Sequence, residues 1–277
     1  MKKISFQGVS GAYSDLVCQK FYKSYKTYPC DTFETALLSV KKGLADLAMI
    51  PIENSIAGRV SDMHVLLEYT DLKIIAEYFH RIEHHLLIKN SSSKHKLKNV
   101  YSHLQALYQC KKNIKKLKLS PINFIDTAAA AKFVSQSAEH DAAIASDLAA
   151  KTYGLKIIKK NLEDQANNVT RFLVFARKSI NIDINQRVIS TLTFKTKNLP
   201  ASLYKALGGF ATNGINLTRL ENFFTNKNFN QSSFIIDVEC HPKNKSFLLA
   251  LEELKFYSSN VRLLGFYKAS NFRTKIN

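Results

Sequence analysis

Ile4-Ser5-Phe6 alternates apolar and polar positions and runs into Gly8-Val9-Ser10-Gly11-Ala12-Tyr13-Ser14, after which Leu16, Val17 and Phe21 recur at helical spacing. This is strand, glycine turn, helix. Phe33, Ala36, Leu37, Val40 and Leu44 share one face of a helix expected over Thr32 to Leu44. Leu47 to Ile50 then reads as a buried strand that Pro51 ends, since proline cannot donate to a ladder. Strand and helix alternate to about residue 175, the pattern of an α/β fold with mainly parallel pairing. The polar run from Lys89 to Lys94 separates two such sets, the second running from Val100 through Ala145. Gly154 to Asp164 is expected to return the chain to the first set, which Phe172 to Phe175 closes. Two crossings between small α/β lobes form a cleft, with lobe 1 about 1–78 and 155–178 and lobe 2 about 79–154.

Lys178 to Gln186 turns polar and aperiodic, and reads as a linker. After it come a strand (188–196), a helix (about 200–213), two strands (215–224 and 233–240), a helix (about 244–257) and a strand (261–267). Pro200 at a helix start and Gly214 past its end punctuate the series. That order is a ferredoxin-like βαββαβ sandwich, a second domain over 187–277.

The composition permits this: 277 residues with 45% hydrophobic side chains supply a core for two domains and exclude a disordered chain. Lys and Arg number 40 against 22 Asp and Glu, a net +18 that taken alone suggests a polyanion partner. Only eight of those cations are arginine, the residue that reads bases and phosphates bidentately. The lysines are dispersed, and the densest group, Lys111, Lys112, Lys115, Lys116 and Lys118, has no interleaved aromatics. A solvated surface is the better reading, and no nucleic acid partner is expected. Cys18, Cys30, Cys110 and Cys240 form no C-x-x-C, so reduced cytoplasmic thiols are expected rather than disulfides or a zinc knuckle. The basic opening is broken by Ser5, Gln7 and Gly8, unlike an export signal, and no apolar run reaches the roughly 18 residues of a bilayer span.

Several segments carry candidate chemistry. The glycine turn at Gly8 to Ser14 opens a helix N-terminus that suits an anion, although a plain strand-to-helix turn explains it too. Asn54, Ser55 and Arg59 follow a buried strand end, where α/β clefts bind ligands, and N-capping is the alternative for the first two. Ser102 caps a helix on which Gln105 and Gln109 share a face. Thr170 and Arg171 sit side by side where the chain enters its last first-domain strand, and Arg171 suits a carboxylate. His80, His84, His85 and His103 do not match zinc spacing. No Ser-His-Asp set, close carboxylate pair or activated cysteine emerges, so neither nucleophilic nor metal catalysis is expected, and no cofactor.

Six ordered motifs together resemble the prephenate dehydratase family. They are Gly8-x-x-Gly11-x-Tyr13-Ser14, Pro51-Ile52-Glu53-Asn54-Ser55-x-x-Gly58-x-Val60, Ser102-His103-x-Gln105-Ala106-Leu107-x-Gln109-Cys110, Thr127-Ala128, Asn168-x-Thr170-Arg171-Phe172 and Ile215-Asn216-Leu217-Thr218. The resemblance spans nearly the whole chain. It implies a two-lobed catalytic domain like a type II periplasmic binding protein over 1–178, and an ACT regulatory domain over 187–277. It implies prephenate as substrate, converted to phenylpyruvate, water and carbon dioxide in phenylalanine biosynthesis. Thr170 matches the family's essential threonine; Asn54, Ser102 and Gln109 match its other active-site polar positions, and Ser55, Thr127, Arg171 and Phe172 lie in its substrate-binding motifs. Aromatisation drives such a reaction, so uncharged donors suffice: Thr170 is expected to donate to the departing hydroxyl, and Gln109 and Asn54 to orient the side-chain carboxylate.

The resemblance also implies L-phenylalanine as effector between paired ACT domains, at Ala201, Ser202, Leu203, Asn216, Leu217 and Glu221, and a homodimer or homotetramer. Two segments depart from the family there. Ala201-Ser202-Leu203 stands where many members have Gly-Ala-Leu, and Glu221-Asn222-Phe223-Phe224 where they have Glu-Ser-Arg-Pro. Phe223 in place of arginine removes a five-donor cation, which weakens the case for feedback inhibition. Arogenate dehydratase and a non-catalytic amino-acid sensor with the same fold are the competing readings.

Overall fold

The computed structural model describes residues 1–60, 66–67, 70–92, 97–137, 140–223 and 232–275. The chain divides into two compact units, one of Met1–Arg59 with Phe79–Phe172, the other of Val60–Tyr78 with Leu173–Asn277. Ser93, Lys94 and Phe224 of the sequence motifs lie outside the described residues.

In the first unit, β1 (Lys3–Gln7) pairs in parallel with both β2 (Lys26–Cys30) and β3 (Leu47–Asn54). Beside β3 lie β11 (Val169–Ala176) and the short β4 (Gly58–Arg59). Helices α1 (Tyr13–Phe21) and α2 (Phe33–Lys41) connect the strands. The sequence places the start of α2 one residue early because Thr32 is its cap: Thr32 and Thr35 exchange backbone and side-chain bonds at 3.0 Å. Pro51 does not end β3, which continues to Asn54. The register with β1 is made at Leu47 and Ala48, so a missing donor at position 51 leaves that pairing untouched.

The second sheet of this unit has the order β10-β6-β9-β7-β8, built from β6 (His85–Ile88), β7 (Asn99–Ser102), β8 (Ser120–Asn123), β9 (Asp141–Ala145) and β10 (Lys156–Lys159). Helices α3 (Leu104–Gln109), α4 (Lys111–Lys116), α5 (Thr127–Gln136) and α6 (Asp147–Thr152) accompany it, and Ile88, Val100, Leu107, Cys110, Ile114 and Ile144 pack its core. Here the sequence reading needs correction. The segment expected to re-enter the first lobe at about 155 is β10, an antiparallel edge partner of β6, and the return is made by β11. Leu155, Ile157 and Ile158 read as a short buried run that suits either sheet, and periodicity does not choose between them. The glycine turn meets the second lobe directly. A Cβ on Gly11 (φ +91°) would stand 3.0 Å from the Ala149 Cα, while Ser146 donates to the Gly11 carbonyl at 2.8 Å and Tyr153 to the Ser10 carbonyl at 2.6 Å.

The second unit holds the βαββαβ series: β12 (Val188–Thr196), α7 (Ser202–Thr212), β13 (Leu217–Phe223), β14 (Ser233–Val238), α8 (Lys245–Tyr257) and β15 (Ser258–Lys268). The strand order β13-β14-β12-β15, antiparallel throughout, is that of a ferredoxin-like sheet. Leu192, Phe194, Ile236 and Val238 point toward Ala206, Phe210, Phe247 and Leu254 of its two helices. β15 also pairs in parallel with β5 (Lys73–Arg81) at Gly265 and Ile74, so this unit takes in a strand that the sequence pattern assigns to lobe 1. Glu77 of β5, buried, receives both Nε and Nη2 of Arg273 at 2.8 and 2.9 Å. Among the described residues no helix is long and apolar enough to cross a membrane.

Candidate active site

The C-terminal end of β3 and the N-terminal end of β11 are adjacent, and each delivers one residue to the site. Ser55 locks them in register: its N–H donates to the Val169 carbonyl at 2.8 Å, and its hydroxyl accepts from the Val169 N–H at 2.9 Å and donates to the Asn167 carbonyl at 2.7 Å. Asn54, one residue earlier, accepts at Oδ1 from the Ile56 and Ala57 amides at 3.0 and 2.9 Å, an Asx turn that fixes its side chain. Its Nδ2 then donates to Thr170 Oγ1 at 2.9 Å and to Asn168 Oδ1 at 2.6 Å.

From Asn168 the bonds continue into the second lobe. Asn168 Nδ2 donates to Gln109 Oε1 at 2.9 Å, and the same oxygen lies 2.8 Å from His84 Nε2. The other ring nitrogen, Nδ1, lies 2.8 Å from the Tyr13 hydroxyl, which also reaches the Glu83 carbonyl at 2.8 Å. Burial lowers the His84 pKa and raises that of Tyr13 well above its ordinary value, so a neutral ring meets a protonated phenol. Burial also pushes up the thiols of Cys18 and Cys110, keeping both protonated.

The inventory of these bonds separates the roles. Asn54 uses both hydrogens and both lone pairs of its amide on protein, so it positions Thr170 and has no capacity left for a substrate carboxylate. Thr170, 7% exposed, accepts from Asn54, and its own proton has no acceptor among the described residues. Gln109 is occupied at Oε1 alone; its Nε2 makes no hydrogen bond among the described residues. A hydroxyl donor and an amide donor are thus left to act on a ligand.

The other sequence candidates fall elsewhere. Ser102 is fully buried and spends its proton on the Ile144 carbonyl at 2.6 Å, which ties β7 to β9. Thr127 opens α5 beside its cap, Asp126, and does not join the bonded chain. Arg171 and Thr170 are neighbours on a strand and therefore face opposite ways. The guanidinium is 2% exposed, bonded to Glu53 Oε1 at 3.1 Å and set over the Phe79 ring at 5.9 Å, so it is engaged within the protein rather than offered to a carboxylate. Phe172 is a buried core residue. Three participants were outside the sequence candidates: His84, Asn168 and Tyr13. Asn168 and Tyr13 stood inside quoted motifs, and their signal was a polar residue flanking a strand end or a glycine turn. His84 carries no motif signal beyond its failure to match zinc spacing, and among the described residues no group of three His, Cys, Asp or Glu could hold a metal ion.

In the second unit, Ala201 takes φ 58° at the start of α7, Ser202 is buried near the Tyr257 carbonyl, and Leu203 packs against the core. Asn216 donates to Glu239 at 3.2 Å, Leu217 begins β13, and Glu221 accepts from Arg219 Nε at 3.0 Å. Phe223 is buried.

Comparison with known proteins gives a consistent neighbourhood. Residues 4–180 match the family model described as prephenate dehydratase. A bifunctional N-acyl-homoserine lactone acylase/prephenate dehydratase of Komagataeibacter europaeus is 42% identical over 98% of both chains. Arogenate dehydratase/prephenate dehydratase 2 of Arabidopsis thaliana is 36% identical over 96% of this chain and 72% of that protein. The solved structure of prephenate dehydratase from Arthrobacter aurescens in complex with L-Phe superposes with a TM-score of 0.88 at 26% identity, covering 96% of this chain and 90% of that one.

Proposed function

The chain belongs to the prephenate dehydratase family, and from that premise we propose that it converts prephenate to phenylpyruvate, water and carbon dioxide, as a cytoplasmic enzyme of phenylalanine biosynthesis. The observation that carries the reading is the Thr170 hydroxyl, held as an acceptor by Asn54 and so left with its proton for a ligand. As the ring–carboxylate bond breaks, its electrons pass into the ring and expel the hydroxyl, which takes up a proton and leaves as water. A threonine is a poor acid, so Thr170 acts by hydrogen bonding to the developing charge on that oxygen while solvent supplies the net proton. Gln109 Nε2 is the donor for the side-chain carboxylate. Ser55 and Asn54 hold Thr170 in place, Ser102 ties β7, which leads into the helix that carries Gln109, to β9, Phe172 packs β11 into the core, Thr127 offers a half-buried hydroxyl at a helix start, and Arg171 braces β11 through Glu53.

In this proposal residues 1–178 form the catalytic domain and 187–277 an ACT domain that pairs the chain as a homodimer or homotetramer. L-Phenylalanine binds more weakly than micromolar at the Ala201, Ser202, Leu203, Asn216, Leu217 and Glu221 positions, since Glu221 already takes Arg219 and Phe223 supplies no charge; calorimetry with L-phenylalanine checks this, and micromolar binding contradicts it. Arogenate, with an amine in place of the keto group, is the second reading, supported by the double name of the Arabidopsis relative. Purified protein incubated separately with prephenate and arogenate, with phenylpyruvate and phenylalanine followed, decides between them. Absence of both products leaves the non-catalytic sensor. An N-acyl-homoserine lactone is a third incubation, prompted by the Komagataeibacter europaeus name.

A further inference from the structure

The hydrogen bonds at the site have a direction that is independent of how amide oxygen and nitrogen atoms are labelled. Backbone amides can only donate, so the Asn54 atom facing Ile56 and Ala57 is an oxygen. Its partner atom is then NH₂, which requires an oxygen on Asn168 at 2.6 Å. Asn168 therefore turns its nitrogen to Gln109, whose facing atom, 2.9 Å away, is an oxygen. That oxygen lies 2.8 Å from His84 Nε2, which must carry a hydrogen. Each link leaves one choice for the next. We propose that His84 is a positioning residue for the reaction: its Nε2–H, directed at Gln109 Oε1, holds the Gln109 amide nitrogen outward as a donor to an anionic substrate.

The surroundings of the ring support this tautomer. With Nε2 protonated and the buried ring neutral, Nδ1 is bare and accepts from Tyr13, whose proton is shared between that nitrogen and the Glu83 carbonyl. The Tyr13 ring meets the imidazole edge-on at 5.6 Å and restrains its rotation. The opposite tautomer would place a lone pair against the lone pairs of Gln109. Gln109 would then have to turn its nitrogen inward and present a carbonyl oxygen to the substrate carboxylate. The inference rests on Gln109 acting as a carboxylate donor, as proposed above.

Nitrogen NMR of the full-length protein with isotope-labelled histidine, His84 being assigned by its loss in a variant, tests the tautomer without substrate. A protonated Nε2 on His84 is expected; a bare Nε2 overturns the inference. Two variants test the role. In His84→Gln the side-chain nitrogen falls near the former Nε2, and in His84→Asn near the former Nδ1. KM for prephenate is expected to stay within about threefold of wild type in the first and to rise about 10- to 100-fold in the second, the scale of losing one hydrogen bond to a charged group, with kcat changing less. Equal KM values in the two variants overturn the role, whereas a merely structural histidine lowers the melting temperature of both alike. If neither variant folds, His84 is assigned instead through its edge-on contact with the Tyr13 ring, and the NMR result decides. A protonated Nε2 in a protein that turns over neither prephenate nor arogenate refutes the proposed function and leaves the bond direction standing.

Discussion

Replacing Asn54 by aspartate keeps the shape of the side chain and removes one property, the donor Nδ2. The Asx turn survives, because a carboxylate oxygen still accepts from Ile56 and Ala57. The two bonds made by Nδ2, to Thr170 at 2.9 Å and Asn168 at 2.6 Å, become contacts between acceptors. At about 0.5–1.5 kcal/mol for each neutral bond, the stability loss comes to about 1–3 kcal/mol. That corresponds to a fall in melting temperature of roughly 2–12 °C. The effect on turnover is different in kind. Thr170 relieves its contact by turning its proton to the new carboxylate, and a bond to a charged group, about 1.5–3 kcal/mol, must then be given up before that proton can serve the substrate. Turnover falls by about 10- to 150-fold at pH 8 and recovers in part as acid protonates the introduced carboxylate, which then donates to Thr170 as asparagine did. The assay is phenylpyruvate formation from prephenate between pH 5 and 8 for Asn54→Asp against wild type. Turnover within threefold of wild type at pH 8 would refute the claim that Asn54 sets the direction of the Thr170 hydroxyl.

Two further outcomes are expected. Arg171→Met removes one partner of Glu53, whose side chain is 34% exposed, so the loss is below the several kcal/mol of breaking a fully buried pair; KM for prephenate stays within about threefold, and a rise of 30-fold or more would restore Arg171 as a carboxylate ligand. His80 has a pKa lowered to about 4, by burial first and by Lys20 second. Its unfolded-state value is about 6.5, so as pH falls from about 6.5 toward about 4 the unfolded chain takes up a proton that the folded chain does not, and stability declines. Melting temperatures across that range, compared with His80→Gln, check this: the variant should show a flatter profile, and identical slopes would discard the assignment.

Which parts of the site were legible follows from how each contact is made. Asn54 and Thr170 could be singled out as candidates because each sits at the end of a strand with a strong hydrophobic pattern, while the roles expected of them came from the family motifs and not from the pattern. The βαββαβ order was readable for the same reason, since every element has its own periodicity and punctuation. Asn168 and His84 were not, because both reach Gln109 only through where the chain crosses between lobes, and that β10 stays in the second sheet, leaving the return to β11, is set by its register with β6 rather than by pattern. Arg171 shows a different failure: a period of two on β11 already separates it from Thr170, but its partner, Glu53, lies on another strand and came into view only with the fold.

The most direct test of the account is the kinetics of Thr170→Val beside Thr170→Ser on prephenate. Valine keeps the branched shape and lacks the hydroxyl; serine keeps the hydroxyl. The account predicts that valine lowers kcat by about 10²- to 10³-fold with little change in KM, the loss typical of one preorganised donor, and that serine keeps most of the rate. A valine variant with turnover within threefold of wild type would contradict it.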